Sequence, residues 1–500
     1  MSTYAIKADK FFLPAGPQLG GYLMVEDGVF GAWQADEPSC EIRDYTGSWI
    51  APGMVDTHIH GFYNHSTTDG DPEGIDISST ELARRGTTSW LPTTFTDGVE
   101  QIKDACAAIA RADEGRGPDF CGARIQGIYL EGPFFTMKHV GAQNPAYLID
   151  PSEEVFDRWQ EAAGGRIVKS AMAAERDGAA AYAAALSAKG VVTCIGHSDA
   201  TYDECIAAIN AGASCFTHTY NGQRGLHHRE PGVVGAAMST PETYAEIICD
   251  GKHVNPAAIK ALLQAKGWRH TVLITDCLGD PADCLGCGGM PEGSYTSGGM
   301  DVIMKDNLCW LADGKSIAGS VLTLAQGVKN IVDWGIASAD IAIRMATEVP
   351  ARSAHIEDKC GSIMPGRDAD FVVFDHELTL VETYVGGQSV GEPANSGGPR
   401  TSSPPPYGLN AQKHLHSYSL LAIFFAVRLT PATRPPAGCS FSYARRFSRL
   451  AYSSTMMSPY SSSILSKKST APLISSAVGC PFWTPPVSLN GPHVSKPGQP

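Results

Sequence analysis

Between residues 52 and 352 the chain alternates two hydrophobic patterns. Short apolar runs recur eight times: Met54 to His60, Thr88 to Pro92, Ile125 to Glu131, Ile167 to Met172, Val191 to His197, Ala213 to His218, Ala245 to Asp250 and Val272 to Asp276. Longer Ala-rich or amphipathic stretches separate them, among them Asp104 to Ala112, Ala179 to Ala188, Tyr202 to Ala211 and Pro256 to Ala265. Strands alternating with helices predict a parallel sheet, and eight such units predict a closed (β/α)8 barrel. Both flanks read differently. Tyr22 to Val25 and Val29 to Trp33 are strand-like on either side of the turn Glu26-Asp27-Gly28, and Phe371 to Phe374 and Thr383 to Val385 are strand-like at the far end. An α/β barrel is therefore expected between two β-rich ends.

Composition changes this picture after residue 390. The last 110 residues hold ten Lys and Arg against the single acid Glu392, a charge of +9, which leaves −23 for residues 1–390 against −14 for the whole chain. Segments such as TSSPPP, TRPPAG and PGQP lack helical or strand periodicity, so residues 391–500 are expected to form a disordered basic Ser/Pro-rich tail without chemistry. So abrupt a loss of acids is also what an out-of-frame or read-through extension would look like. The acidic remainder argues against nucleic acid or an anionic membrane as the main partner. The N-terminus lacks a charged and then apolar leader, and no run reaches the roughly 18 apolar residues that a membrane helix needs. With fourteen Cys read as reduced thiols, a cytoplasmic protein is expected.

Chemistry enters at the ends of the apolar runs. His58 and His60 lie on the first, Glu131 ends the third, His197 the fifth, His218 the sixth and Asp276 the eighth, with His253 just past the seventh. In a barrel these positions share the rim where active sites are built. Alternate residues of a strand face the same way, so His58 and His60 are spaced to share an ion. A single histidine of this kind is more often a hydrogen-bonded structural residue. Five of them, with a Glu and an Asp at one end of different strands, incur a burial cost that a structural rim has no reason to bear. Imidazole and carboxylate ligands that leave positions open suit a catalytic divalent ion, Zn²⁺ first, with Fe²⁺, Mn²⁺ or Co²⁺ as alternatives. Such an ion lowers the pKa of bound water from ~15.7 toward ~7. Asp276 is the expected base and acid that takes that proton and returns it to a leaving amine, its alternative being a helix N-cap.

The motifs now assembled are Pro52-Gly53-Met54-Val55-Asp56-Thr57-His58-Ile59-His60-Gly61, Leu130-Glu131-Gly132-Pro133-Phe134, Ile195-Gly196-His197-Ser198, Thr217-His218 through His228-Arg229-Glu230-Pro231-Gly232, Asp250-Gly251-Lys252-His253 and Thr275-Asp276. In this order they resemble the N-acetylglucosamine-6-phosphate deacetylases of the amidohydrolase superfamily, from about residue 3 to residue 388. The resemblance implies a small β-sandwich built from residues 1–51 and 353–390 around a barrel of residues 52–352, in a homodimer. It also implies Glu131, His197 and His218 as metal ligands and Asp276 as general acid/base. Where both first-strand positions are His, as at His58 and His60, it leaves room for a second ion, so one or two per subunit. Sugar-phosphate contacts carry over to Asn221, Gly222, Arg229, His253, Ile317, Ala318 and Gly319, with Ala142 and Gln143 in the loop after the third strand. A phosphate entering so acidic a chain needs a cation, and Arg229 offers fork-like donors, with Arg224, His227 and His228 nearby in sequence. His253 is expected to orient the acetyl carbonyl or the sugar.

Two positions depart from the family pattern. Gln143 stands where many members have His, and Gly222 where Ala is usual; an amide still hydrogen-bonds a sugar hydroxyl, and the backbone N–H at 222 remains. The Cys277, Cys284 and Cys287 segment reads as a variable loop, since one C-x-x-C pair is poor evidence for zinc. The rival enzyme reading is a dihydroorotase-like or dipeptidase-like cyclic amidase with a carboxylated lysine on the fourth strand, where Lys169 stands. The non-enzymatic rival is a phosphosugar-binding protein.

Overall fold

The computed structural model describes residues 3–391, apart from residue 64 and residues 279–292, 298–299, 306–307, 313 and 315–316. The expectation of disorder beyond residue 391, and the Cys284 and Cys287 part of the Cys-rich loop, lie outside the described residues.

Eight parallel strands form the barrel: Met54–Ile59, Thr87–Thr94, Ile128–Leu130, Ile167–Met172, Val192–Ile195, Ala213–Phe216, Tyr244–Ile248 and Thr271–Ile274. We number them one to eight. Each pairs with the next in sequence order from one to eight. The ring closes between strands one and eight through Asp276 N–H to His58 C=O and His60 N–H to Cys277 C=O, both 2.9 Å. A side-chain clasp reinforces the seam: the fully buried Asp56 accepts a 2.6 Å bond from Thr275 Oγ1.

The intervening helices follow local rules. Tyr202–Asn210 opens with a capping box in which Thr201 and Glu204 satisfy each other's backbone N–H groups. Pro256–Lys266 starts with Pro at its first position behind an Asn255 cap. Inside the ring, Val55, Leu91, Tyr129, Ala171, Val192, Cys194 and Cys215 fill the interior. Between ring and helices, Ile59, Trp90, Ile128, Ile195 and Phe216 face Ile102, Ile109, Phe156, Trp159 and Leu186.

Both chain ends of this region join one further sheet. Phe371–Asp375, Leu380–Val385 and Gln388–Ser389 extend it on one side of Glu41–Pro52; Thr3–Leu13, Tyr22–Glu26 and Val29–Gln34 extend it on the other. Its core is Tyr4, Ile6, Phe11, Leu23, Val25, Phe30, Ile50, Phe371 and Val373. Its two longest strands, Thr3–Leu13 and Glu41–Pro52, were not legible in the pattern, because Lys7, Asp9, Lys10, Glu41, Arg43 and Asp44 interrupt the apolar positions. After strand eight, Gly293–Ser297, Met300–Lys305, Leu308–Leu311 and Ile317–Gly319 pair antiparallel in a small sheet. Cys106, Cys194, Cys205, Cys215, Cys249 and Cys360 are thiols without disulfides, and none of the six is exposed. Among the described residues no helix is long and apolar enough to cross a membrane.

Two expectations follow for stability. Thr275→Val leaves a buried carboxylate short of its best donor and should lower unfolding free energy by about 1–3 kcal/mol in urea titrations; an unchanged midpoint would remove the clasp from the account of closure. Lys266 is buried, bonded to Thr240 C=O and Thr243 Oγ1, with burial pushing its ammonium down to about 8. A lysine whose folded pKa lies below its unfolded value costs most below pH 8, and the cost fades as pH rises from there toward 10.5. The stability of the wild type relative to Lys266→Met should therefore rise between pH 7 and pH 10, by about 3 kcal/mol at most. A pH-independent difference would mean that Lys266 titrates normally.

Candidate functional site

Three site residues leave the barrel through an unusual backbone turn. His197, His218 and Asp276 each lie two positions past a strand end, with φ of 45°, 26° and 50°. This left-handed region is sparsely used by residues other than glycine, His and Asp being among the better tolerated. Each turn follows directly on its strand, so the three side chains are set at the rim by backbone and not by a flexible loop. His58 lies within strand one, and Glu131 one residue past strand three.

The five ring and carboxylate groups converge on Glu131. Its Oε1 is 2.9 Å from His218 Nε2 and 3.2 Å from His197 Nε2, and the two Nε2 atoms are 3.1 Å apart. Its Oε2 is 3.1 Å from His60 Nε2, which is 3.2 Å from Asp276 Oδ1. His58 Nε2 stands 3.6 Å from Glu131 Oε1 and 3.5 Å from Asp276 Oδ1. All are buried or nearly so. Two overlapping ligand sets result, Glu131 with His197 and His218, and Glu131 with His58 and His60.

The second nitrogen of each ring tests whether these sets fit a cation. His197 Nδ1 is 2.7 Å from the His139 carbonyl and His60 Nδ1 is 3.0 Å from the Thr93 carbonyl. A carbonyl only accepts, so both Nδ1 atoms carry hydrogen and both Nε2 atoms face the carboxylates with a lone pair or a second proton. His218 Nδ1 and His58 Nε2 are buried without a hydrogen-bond partner among the described residues. Nitrogen and oxygen donors crowded this closely, with three of the four rings anchored through Nδ1, are the donor chemistry of a divalent metal site.

The charges point the same way. Burial pushes the Glu131 carboxyl up, but the charge of His58 and hydrogen bonds from His197 and His218 outweigh it and hold it well below the usual range. Burial likewise opposes ionisation of Asp276, and the bond to His60 with the charges of His58 and His60 overcomes it, so its pKa is lowered. Asp276 is thereby a carboxylate at neutral pH, the form that accepts a proton. Further back, Asp56 is pushed up to about 7 by burial.

Several groups that the strand-end pattern did not single out hold the rim in place. Glu246, fully buried on strand seven, has its Oε2 2.9 Å from His58 Nδ1 and pairs through Oε1 with Lys169. Lys169 is thus engaged inside the barrel and is not a free amine at the rim. Phe95 stacks on His60 at 3.7 Å between centroids. Asp199 accepts from His139 Nε2 at 3.0 Å, Lys138 at 2.8 Å and both Nε and an Nη of Arg224. It therefore steadies the loop whose carbonyl holds His197. A lone charged residue inside an apolar run was the available signal for Glu246 and Lys169.

The remaining expected residues fall around this centre. Gln143 is buried, donating to Glu131 Oε2 at 2.6 Å while its oxygen accepts Thr96 N–H at 2.7 Å. Ala142 lies between it and Gly141. A Cβ on Gly141 would stand 3.2 Å from the His197 ring, and one on Gly222 only 2.9 Å, so two glycines of positive φ close on that imidazole. Asn221 N–H bonds the His218 carbonyl. Ile317, Ala318 and Gly319 form the strand leading to Ser320, whose N–H bonds Asp276 C=O at 2.9 Å. His253 is fixed by Asp250, Nδ1 to Oδ2 at 2.5 Å, with its buried Nε2 left unpartnered among the described residues. Arg229 is exposed beside His228 and has no carboxylate partner among the described residues, whereas Arg224 is committed to Asp199.

Comparison with known proteins places this geometry. The N-acetylglucosamine-6-phosphate deacetylase of Vibrio furnissii is 37% identical over 347 residues, 69% of this chain and 84% of that protein. The N-acetylgalactosamine-6-phosphate deacetylase of Escherichia coli O157:H7 is 35% identical over 77% of this chain and 99% of its own length. Among solved structures, a mutant N-acetyl-D-glucosamine-6-phosphate deacetylase from Mycobacterium smegmatis in complex with N-acetyl-D-glucosamine-6-phosphate superposes with a TM-score of 0.72. It is 29% identical and covers 78% of this chain and 100% of that one. Residues 49–395 match the amidohydrolase family, and with the barrel and the His/Glu rim in place the chain belongs to that family.

Proposed function

We propose that the chain hydrolyses N-acetyl-D-glucosamine 6-phosphate to D-glucosamine 6-phosphate and acetate, as a step of amino-sugar breakdown. The observation that carries this reading is the Asp276 carboxylate seated 3.2 Å from His60, in a cluster where Glu131 joins His58 and His60 to His197 and His218, in a chain whose relatives are deacetylases of phosphorylated acetamido sugars. Glu131, His197 and His218 would hold one divalent ion, Zn²⁺ in our reading, which when bound acidifies water and polarises the acetamide carbonyl. His58 and His60 with Glu131 would hold a second.

Asp276 takes the proton of the attacking water and delivers it to the amide nitrogen as the C–N bond breaks, so that one water is consumed per acetate released. His253, tied to Asp250, orients the acetyl group or the sugar through Nε2. Arg229 binds the phosphate, since Arg224 is already neutralised by Asp199. Asn221, Gly222, Ala142, Gln143 and Ile317–Gly319 contact the sugar in this reading, Gln143 also steadying Glu131. A phosphate held at one end fixes the amide over the reacting groups at the other. The engagement of Lys169 by Glu246 removes the feature that would favour a cyclic amidase with a carboxylated lysine. A homodimer in the cytoplasm completes the proposal.

Acetate release from N-acetylglucosamine 6-phosphate by the full chain should require the phosphate and a divalent ion, and Asp276→Asn should lower kcat about 10²–10⁴-fold. Folded, zinc-loaded protein that releases none would end this assignment, and faster turnover of the galactosamine epimer would redirect it. Arg229→Met should raise KM about 10–100-fold with kcat little changed. Arg224→Met should do so less; an unchanged KM in Arg229→Met would mean that the phosphate is not read by Arg229.

A further inference from the structure

Beneath the rim, three side chains without solvent exposure link three strands across the barrel interior: Lys169 of strand four, Glu246 of strand seven and His58 of strand one. Lys169 Nζ donates to Glu246 Oε1, and Glu246 Oε2 meets His58 Nδ1 at 2.9 Å. That second oxygen also accepts the backbone N–H of His218 at 3.2 Å. Tyr129 packs against both ends, 4.7 Å from the Lys169 ammonium and edge-on to His58 at 5.0 Å. Cys194 and Cys215 lie near Lys169 and Glu246, in a buried cluster that also holds Leu91, Ala171 and Val192.

Stability does not call for this arrangement, because apolar side chains of similar volume usually serve a core as well as a buried ion pair or better. Its effect falls on His58. An ionised carboxylate can only accept, so Nδ1 carries the hydrogen and Nε2 is the nitrogen turned toward the site, where it can offer its lone pair to a cation once it is deprotonated. Nε2 has no hydrogen-bond partner among the described residues and faces Glu131 and Asp276 at 3.6 Å and 3.5 Å. Lys169 supplies the counter-charge without which so buried a carboxylate is expensive to keep.

We propose that Glu246 is a positioning residue for His58, and that the Lys169–Glu246 pair determines whether His58, His60 and Glu131 take up a second divalent ion. This rests on the second-ion reading above. The pair never touches the ion; it sets the tautomer and aim of one ligand, and through the His218 N–H it ties that ligand to the first ion's set.

The test is a zinc titration of metal-stripped full-length protein against a chromophoric chelator, with bound zinc counted by mass spectrometry after desalting. Wild type should take two zinc ions per chain and His58→Asn one. The double variant Glu246→Gln, Lys169→Met removes both charges together, so neither is stranded. It should keep the first zinc within about threefold of wild-type affinity and weaken the second about 10–100-fold. Glu246→Asp keeps the charge beside Lys169 but shortens the reach to His58, and should weaken the second zinc in the same sense. If either folded variant binds the second zinc as tightly as wild type, the proposal is overturned. A wild type that takes a single zinc sinks the second-ion reading itself, which is a different result.

Discussion

The seam between the first and last barrel strands is the constraint on which the site depends. Strand one brings His58 and His60, strand eight brings Asp276, and they meet only because His58 C=O and Asp276 N–H are bonded to each other. The clasp and the ligands share one short stretch of chain, in and just past the first strand, so Asp56, His58 and His60 are placed together. Each is anchored to a different neighbour: Asp56 to Thr275 of the final turn, His58 to Glu246 on strand seven, His60 to the Thr93 carbonyl on strand two.

Around that seam the electrostatics have a consistent sign. Glu131 and Asp276 are kept as anions by imidazoles, and the imidazoles by carbonyls and a deeper carboxylate. The burial that would neutralise each acid alone is overcome by its neighbours, so the charge state is a property of the group and not of one residue. The basic Lys169 joins this circle only through the deeper carboxylate, Glu246. At the rim Arg224 is spent on Asp199, while exposed Arg229 has no carboxylate partner among the described residues.

The barrel was legible in the sequence because its eight strands are short and apolar; the expected Ile167 to Met172 strand and Ala179 to Ala188 helix have the observed bounds. The polar residues at the strand ends were legible for the complementary reason, that nothing in a core explains them. What escaped notice follows equally physical lines. Thr3–Leu13 and Glu41–Pro52 carry charges along their half-exposed faces, and the antiparallel sheet after strand eight has no long apolar run. Glu246 and Lys169 lay in plain view as charges within apolar strands, but their partnership depends on a crossing of the barrel that no local pattern encodes. Gln143 was read for its chemistry toward a sugar, while its bonds to Glu131 and Thr96 depend on how the loop after strand three folds back.

The left-handed turns at His197, His218 and Asp276 restrict the evolutionary alphabet of this rim. At a φ near +45° a β-branched or bulky residue strains the backbone before its chemistry is ever tried, whereas Asn, Asp, His and Gly are admitted. Drift at these three positions is thus channelled among side chains that can themselves ligate metal or carry a proton, or into glycine. A barrel built this way can trade one metal preference or proton carrier for another by single substitutions, and its rim has few routes to becoming merely greasy.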